Sequence, residues 1–139
     1  MTVIPDTNVW IEWLRRGAPG TRDETGGERV LLATVTLQEL WAGVTSEGEA
    51  RDVDRLYELA RGAGRLVNPR GPAWILSGRA LAALVRRGKV SGARLRAIRN
   101  DVLLAATAVT HDAAVLTHDT RDFGAIAQVL PLRFVSPRS

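Results

Sequence analysis

The sequence has 139 residues, 45% of them hydrophobic and 24% charged, which is typical of one globular domain and leads us to expect a single domain over residues 1–139. It contains no cysteine, so disulfide bonds and thiolate metal sites are excluded, as suits a reducing cytoplasm. The first residues do not have the pattern of a signal peptide and no apolar run is long enough to span a membrane, so we expect a cytoplasmic protein without a membrane partner.

The net charge of +4 is distributed unevenly along the chain. Residues 61–100 contain ten basic residues and no acidic one, whereas residues 1–60 contain eleven acidic and six basic residues. Eighteen of the nineteen basic residues are arginine, the side chain best suited to forked contacts with phosphate. The pattern favours a polyanionic partner, although a solvated helical surface would give the same composition.

The first part of the chain alternates short apolar runs with amphipathic ones. Thr2–Pro5 is predicted to be a buried strand, and Thr7–Arg16 has the apolar spacing of a helix. Gly17–Gly27 is rich in glycine and charge and is predicted to be a surface loop. A second strand is predicted over Arg29–Val35 and a second helix over Thr36–Val44.

The alternation continues to the end of the chain. A charged helix is predicted over Glu47–Gly62. A basic segment, Ala93–Arg99, precedes Asn100–His111, which is apolar on nearly every side and is therefore predicted to be a buried helix. A strand is predicted over Leu66–Val67, a helix over Ala73–Arg87 and a strand over Ala114–Thr117. A helix over Thr120–Leu130 and a strand over Leu132–Val135 follow. The class is therefore α/β with a short, mostly parallel central sheet flanked by helices.

Four acidic residues stand where predicted strands end or helices begin. Asp6 follows the first strand, and it is either the N-cap of the next helix or a site residue. Glu39 completes a capping-box pattern with Thr36, so it is either a capping residue or lines a cleft. Asp101 lies at the predicted start of the buried helix, where a helix dipole or a bound cation would stabilise its charge. Asp119 follows the strand at 114–117, with Asp122 as a second candidate.

The ends of parallel strands share one edge of a sheet, so we expect these acids to meet. Clustered carboxylates repel one another, and a hard divalent cation relieves that repulsion. Mg²⁺ prefers oxygen ligands and water, and such a site supports the in-line hydrolysis of a phosphodiester. The sequence therefore predicts a site built from Asp6, Glu39, Asp101 and Asp119.

Four stretches, in this order, resemble the PIN domain and, within it, the VapC-type toxins of bacterial toxin–antitoxin pairs. They are Asp6-Thr7-Asn8-Val9, Val35-Thr36-Leu37-Gln38-Glu39-Leu40, Asn100-Asp101-Val102-Leu103-Leu104-Ala105-Ala106-Thr107-Ala108 and Leu116-Thr117-His118-Asp119-Thr120-Arg121-Asp122-Phe123. The resemblance covers nearly the whole chain. It departs from the family pattern at His118, in the middle of the fourth stretch, and in the long basic segment before Asp101.

The resemblance implies a PIN-like fold and a Mg²⁺- or Mn²⁺-dependent ribonuclease that forms a homodimer and is silenced by a cognate antitoxin. Such an antitoxin typically inserts its C-terminal segment into the active-site groove. Carried over to this sequence, Asp6 and Asp101 would be the principal metal ligands. Asp119 would complete the cluster, directly or through water, and Glu39 would orient water or hold a second ion.

Other functions fit parts of the same sequence. A PIN-like module that binds RNA or a protein without cutting is the main alternative. A zinc hydrolase using His111 and His118 has too few histidines to be favoured. If the basic segment contacts RNA, then Arg94, Arg96 and Arg99 should together contribute salt-dependent affinity.

Overall fold

The structure is a computed structural model, and it describes residues 1–17 and 27–137. The predicted loop Gly17–Gly27 therefore lies, apart from its two end residues, outside the described residues. Within the described ranges the strands are β1 (Thr2–Pro5), β2 (Arg29–Val30), β3 (Leu32–Ala33), β4 (Leu66–Val67), β5 (Ala114–Leu116) and β6 (Phe134–Val135). The helices are α1 (Thr7–Arg16), α2 (Thr34–Ala42), α3 (Glu47–Gly62), α4 (Gly71–Arg86), α5 (Ala93–Thr110) and α6 (Thr120–Ile126).

The α/β class with a mostly parallel sheet is confirmed. Four strands form a parallel sheet in the order β2-β1-β5-β6, and β3 pairs in parallel with β4. In the central pair, Pro5 lies opposite Leu116, and the amide of Asp6 donates to the carbonyl of Leu116 at 2.9 Å. The next residues along both strands, Asp6 and Thr117, are therefore placed side by side at the carboxyl edge of the sheet.

The predicted strand Arg29–Val35 is wrong in its extent, because the chain changes partners at Leu31. The amide of Leu31 donates to the carbonyl of Val3 at 2.9 Å, whereas the amide of Leu32 donates to the carbonyl of Arg65 at 2.8 Å. Two short strands with different neighbours replace one long one. The apolar, β-branched run does not reveal this exchange, because both halves are buried.

Helix α2 begins at Thr34, two residues earlier than predicted, and the capping box at Thr36 is therefore wrong. The N-cap is Ala33, which makes no side-chain capping bond. Thr36 lies inside the helix and is fully buried, and its Oγ1 has no hydrogen-bond partner among the described residues. Glu39 is thus not needed to cap its own helix.

Helix α5 runs unbroken from Ala93 to Thr110, so the predicted separation at Asn100 is also wrong. Arginine, leucine and alanine are all good helix formers, and the change at residue 100 is one of burial rather than of conformation. Asp101 is consequently the ninth residue of α5, not its first. A capping role for Asp101 is excluded, because the amides of that turn are bonded within the helix.

Helices pack on both faces of the sheet. Ile4 and Val115 point into a core shared with α4, α5 and α6, whereas Val3 and Leu116 point into a core shared with α1, α2 and α3. In the second core, Trp10 and Trp13 of α1 meet edge to face with ring centroids 5.2 Å apart. No helix in the described ranges combines the length and apolar character needed to cross a membrane.

Two smaller predictions at the ends of elements need correction. Helix α6 ends at Ile126 rather than Leu130, because the chain after it forms turns. Strand β6 is confined to Phe134–Val135, the two residues that pair with β5. Trp41, near the end of α2, is 42% exposed and so is not a core residue.

The buried hydroxyl of Thr36 gives a stability prediction. Replacing it in Thr36→Val removes a desolvated hydroxyl while keeping the β-branched shape, so we expect the free energy of unfolding to rise by about 1 kcal/mol. Thr107→Val is the matched control, because the Thr107 hydroxyl donates to the carbonyl of Leu103 at 2.8 Å and its removal should not stabilise. Urea denaturation measures both variants, and destabilisation by Thr36→Val would contradict the assignment.

Candidate active site

Asp6 is both a helix cap and a member of an acidic cluster. It is buried, and its Oδ1 accepts a hydrogen bond from the amide of Val9 at 3.1 Å at the start of α1. Its other oxygen, Oδ2, accepts a hydrogen bond from the hydroxyl of Thr117. The carboxylate is therefore fixed from two directions, by its own helix and by the neighbouring strand.

Thr117 connects two of the predicted site residues, and the sequence reasoning assigned it no role. Its hydroxyl donates to Asp6 and accepts from the amide of Asp119 at 2.9 Å. Thr117 is fully buried, which keeps both bonds out of water. The only signal in the sequence was its place directly after a strand that pairs with β1, and the pairing itself could not be read from the sequence.

Asp119 and Asp122 stand at the start of α6 and face Asp101 on α5. The Oδ1 of Asp119 accepts from the amide of Asp122 at 2.9 Å, so Asp119 is the N-cap of α6 as well. One carboxylate oxygen from each of Asp101, Asp119 and Asp122 lies within 4.8 Å of the other two. Asp122, the second candidate in the sequence, is therefore part of the closest group of acids.

Glu39 projects from α2 toward the same place. Its Oε1 accepts a hydrogen bond from the hydroxyl of Thr7 at 2.9 Å, across 32 residues of sequence. Thr7 follows Asp6 directly, so the two residues after β1 supply one acid of the cluster, Asp6, and orient another, Glu39. This role of Thr7 was also missed, because it depends on how α1 and α2 pack.

The electrostatics show that all of these acids share one site. The pKa of Asp101 is raised from its ordinary value of 3.8 to about 7. Burial is the largest cause, followed by the negative charges of four neighbours: Glu39, Asp6, Asp122 and Asp119. The pKa of Asp6 is also raised by burial, which outweighs the opposing hydrogen bonds from Thr117 and Val9. Asp6 and Asp101, 95 positions apart in the sequence, thus lie in one cluster.

The donor set fits a hard divalent cation. It offers carboxylate oxygens only, and a buried acid with a raised pKa is one whose negative charge lacks compensation. A zinc site built on histidine is not supported in the part of the chain that is described. His111 approaches the carbonyl of Thr107 at 2.9 Å and His118 approaches Glu12 at 3.0 Å, so each histidine is engaged elsewhere.

The three arginines that the sequence grouped together do not form one surface. Arg94 forms an ion pair with Asp122, at the acidic cluster. Arg96 and Arg99 instead line a groove of about 760 Å³ between α2, α4 and α5, together with the exposed Trp74. Helix periodicity explains the division, since Arg94 and Arg96 point about 160° apart on α5.

A second groove approaches the cluster from the side of α1, α2 and α3. It has a volume of about 170 Å³ and an apolar floor that includes Leu14, Leu40 and Val53. Its rim carries Glu39, shared with the acidic cluster, and two acids of α3, Glu49 and Asp52, with Arg15 opposite.

Residues 3–129 match the PIN domain family. No curated protein matches the sequence. Among solved structures, the chain resembles a chain of VapBC2 from Rickettsia felis bound to a promoter DNA fragment, with a TM-score of 0.70, 16% identity and 98% of each chain covered. The corresponding values for DNA-bound VapBC from Salmonella typhimurium are 0.70, 21% and 98% of each chain.

A third similar structure is VapBC-5 from Mycobacterium tuberculosis, with a TM-score of 0.63 and 22% identity, covering 97% of this chain and 98% of that one. That protein is a member of the VapBC family of toxin-antitoxin systems. At these identities the likeness is one of fold. The central sheet and flanking helices described above are thus shared over almost the full length.

The raised pKa of Asp101 gives a pH prediction for the metal-free protein. Between pH 3.8 and about 7 the folded state binds this proton more tightly than the unfolded state, so the free energy of unfolding should fall as pH rises through this window. Asp101→Asn removes that fall. We expect the variant to gain on the order of 2 kcal/mol relative to wild type between pH 4 and pH 8, allowing for partial solvent screening.

Urea denaturation in EDTA at several pH values tests this expectation. Asp54→Asn, which removes an exposed acid on α3, is the control and should follow the wild-type pH dependence. Parallel curves for wild type and Asp101→Asn would contradict the buried-charge explanation.

Proposed function

This chain belongs to the PIN-domain family, and we propose that it is a divalent-metal-dependent endoribonuclease that serves as the toxin of a VapBC-type toxin–antitoxin pair. PIN domains are generally nucleases. The observation that carries the proposal is the meeting of acids from four separate stretches of the chain around the half-buried Asp101.

In this proposal Asp6 and Asp101 are the principal ligands of a Mg²⁺ ion, for which Mn²⁺ can substitute. Asp119 and Asp122 complete the set, because their oxygens lie closest to that of Asp101. When bound, the ion would activate water and stabilise the oxygens of an in-line phosphoryl displacement. The raised pKa of Asp101 supports this assignment, since a nearby cation would favour the ionised form.

The chain's own residues hold the acids in place. Thr117 fixes Asp6, and the N-terminal amides of α1 and α6 bind Asp6 and Asp119 respectively. These bonds prevent the carboxylates from turning away from one another despite their repulsion. Thr7 binds one oxygen of Glu39, and we assign Glu39 the task of accepting a hydrogen bond from the attacking water at its other oxygen.

RNA is the proposed substrate. The acidic site alone would repel a phosphodiester, so basic side chains elsewhere on the protein must attract it. Ten basic residues lie between positions 61 and 100, and five of them are on α4 and α5: Arg79, Arg86, Arg94, Arg96 and Arg99. Arg94 brings one of these charges to the acids themselves. The basic residues therefore attract a polyanion to the protein, and the guanidinium of Arg94 offers its phosphate a positive charge at the site.

An antitoxin is the proposed protein partner, and the groove between α1, α2 and α3 is its proposed binding site. An apolar floor with an acidic rim suits an amphipathic segment that carries arginine or lysine. Because Glu39 belongs to both the groove and the cluster, a basic side chain placed there would also act on the active site.

A homodimer is proposed through α4. Trp74 and Ile75 are 57% and 56% exposed, and Val85 on the same helix is 45% exposed. Three large apolar side chains on one helix favour burial against another protein surface. A second copy of the chain would cover this surface by placing the same apolar side chains against one another across a two-fold axis.

Substituting a ligand tests the nuclease proposal. Asp6→Asn or Asp101→Asn should lower Mg²⁺-dependent RNA cleavage at least about 100-fold while the circular dichroism spectrum stays unchanged. EDTA should abolish wild-type cleavage, and Asp54→Asn should retain it. Full cleavage by either folded ligand variant would refute the site. RNA binding by the wild type without any cleavage would favour a non-cutting PIN-like module.

Disrupting the apolar surface tests the dimer. Trp74→Asp places a charge where the proposed interface is dry, so the variant should sediment as a monomer of about half the wild-type mass. Arg79→Gln, on the same helix, lowers the net charge by the same one unit and is the control for a change of charge alone. A monomeric wild type, or a dimeric Trp74→Asp variant, would contradict this interface.

A further inference from the structure

We propose that Arg94 exchanges partners during the reaction: it neutralises Asp122 while no divalent ion is bound, and it binds the RNA phosphate once the ion has taken that carboxylate. The proposal rests on the proposed function, and it adds a positioning residue that the acidic cluster alone does not provide. Without a divalent ion, Arg94 partly neutralises the acids of the site, and an incoming ion must compete with Arg94 for Asp122.

The geometry places Arg94 above the cluster. It is the second residue of α5, seven residues before Asp101, so the two side chains lie on the same face of the helix, two turns and about 10 Å apart. Its guanidinium reaches across to Asp122 on α6 and forms an ion pair with Oδ1. Among the contacts described, this is the arginine that pairs with a member of the closest acidic group.

The two ends of this pair differ in exposure, which decides which of them can move. The Asp122 side chain is 17% exposed and is held at the start of α6, whereas the Arg94 side chain is 47% exposed. A half-exposed arginine in the first turn of a helix can take another rotamer without disturbing the core. The exchange therefore requires movement of one flexible side chain and not of the backbone.

Competition follows from the charges. A divalent ion held by Asp101, Asp119 and Asp122 would stand within a few ångströms of the guanidinium, and like charges at that distance repel strongly in a partly buried site. A bound ion would also draw electron density from Asp122, which would make that carboxylate a weaker partner for Arg94. Binding of the ion and pairing of Arg94 with Asp122 are thus mutually unfavourable.

The released guanidinium has a suitable new partner. A phosphodiester bound at the cluster would lie close to Arg94, which pairs with Asp122 there, and arginine offers a forked pair of donors matched to phosphate oxygens. His118, a side chain close enough to act on the charge of Asp6, is engaged by Glu12 at 3.0 Å. Arg96 points away from the cluster into the groove on the other side of α5.

Binding of Mn²⁺ to the purified protein, measured by calorimetry without RNA, tests the first half of the exchange. Arg94→Gln should tighten Mn²⁺ binding about fivefold or more, because the competing cation is gone. Arg96→Gln is the matched control, with the same change of charge on the same helix but on the opposite face, and it should stay within about twofold of wild type.

Steady-state cleavage of a single-stranded RNA at saturating Mn²⁺ tests the second half. Arg94→Gln should raise KM about tenfold, and Arg94→Lys should recover part of the loss because it restores charge but not the forked geometry. An unchanged Mn²⁺ affinity in Arg94→Gln, an equal change in Arg96→Gln, or an unchanged KM would each overturn the exchange. Those results leave the nuclease assignment intact, whereas a wild type that neither binds Mn²⁺ nor cleaves RNA would overturn both.

Discussion

Several carboxylates lie close together around Asp101 and repel one another, and the surrounding structure must hold them in place against that repulsion. Asp101 bears the largest share, since burial and four neighbouring carboxylates raise its pKa to about 7. Such an arrangement costs stability in the metal-free protein, and in the proposed function a bound cation would offset that cost. The ionised carboxylate of Asp101 thus destabilises the metal-free protein and would stabilise the protein with a cation bound.

The surrounding structure offsets this repulsion with hydrogen bonds from different elements. Helix N-termini bind Asp6 and Asp119, and the hydroxyls of Thr117 and Thr7 bind Asp6 and Glu39. Each donor is neutral, so the total negative charge of the cluster is not reduced. The remaining negative charge is offset on one side by the guanidinium of Arg94 and, in the proposed function, by a bound cation.

Most of the fold could be predicted from the sequence because its periodicity is local. The bounds of α1 and α3 and the class of the sheet follow from apolar spacing and from which residues favour helix ends. The exchange of partners at Leu31 and the continuity of α5 depend on tertiary burial, which a run of residue types does not encode. The meeting of the acids was predictable from parallel topology, whereas the bond from Thr117 to Asp6 spans 111 positions and needed the register of β1 against β5.

The exchange at Leu31 also has a bearing on how this fold tolerates change in length. Val30 is tied to one ladder and Leu32 to another, with a single residue between them. An inserted or deleted residue there cannot be absorbed by a loop, because one ladder or the other must slip. Since α2 begins directly after β3, such a slip would turn Glu39 about 100° around its helix axis and out of the cluster. Insertions and deletions during divergence should therefore be concentrated elsewhere. The length of the segment from Val30 to Leu32 fixes the position of Glu39 relative to the sheet.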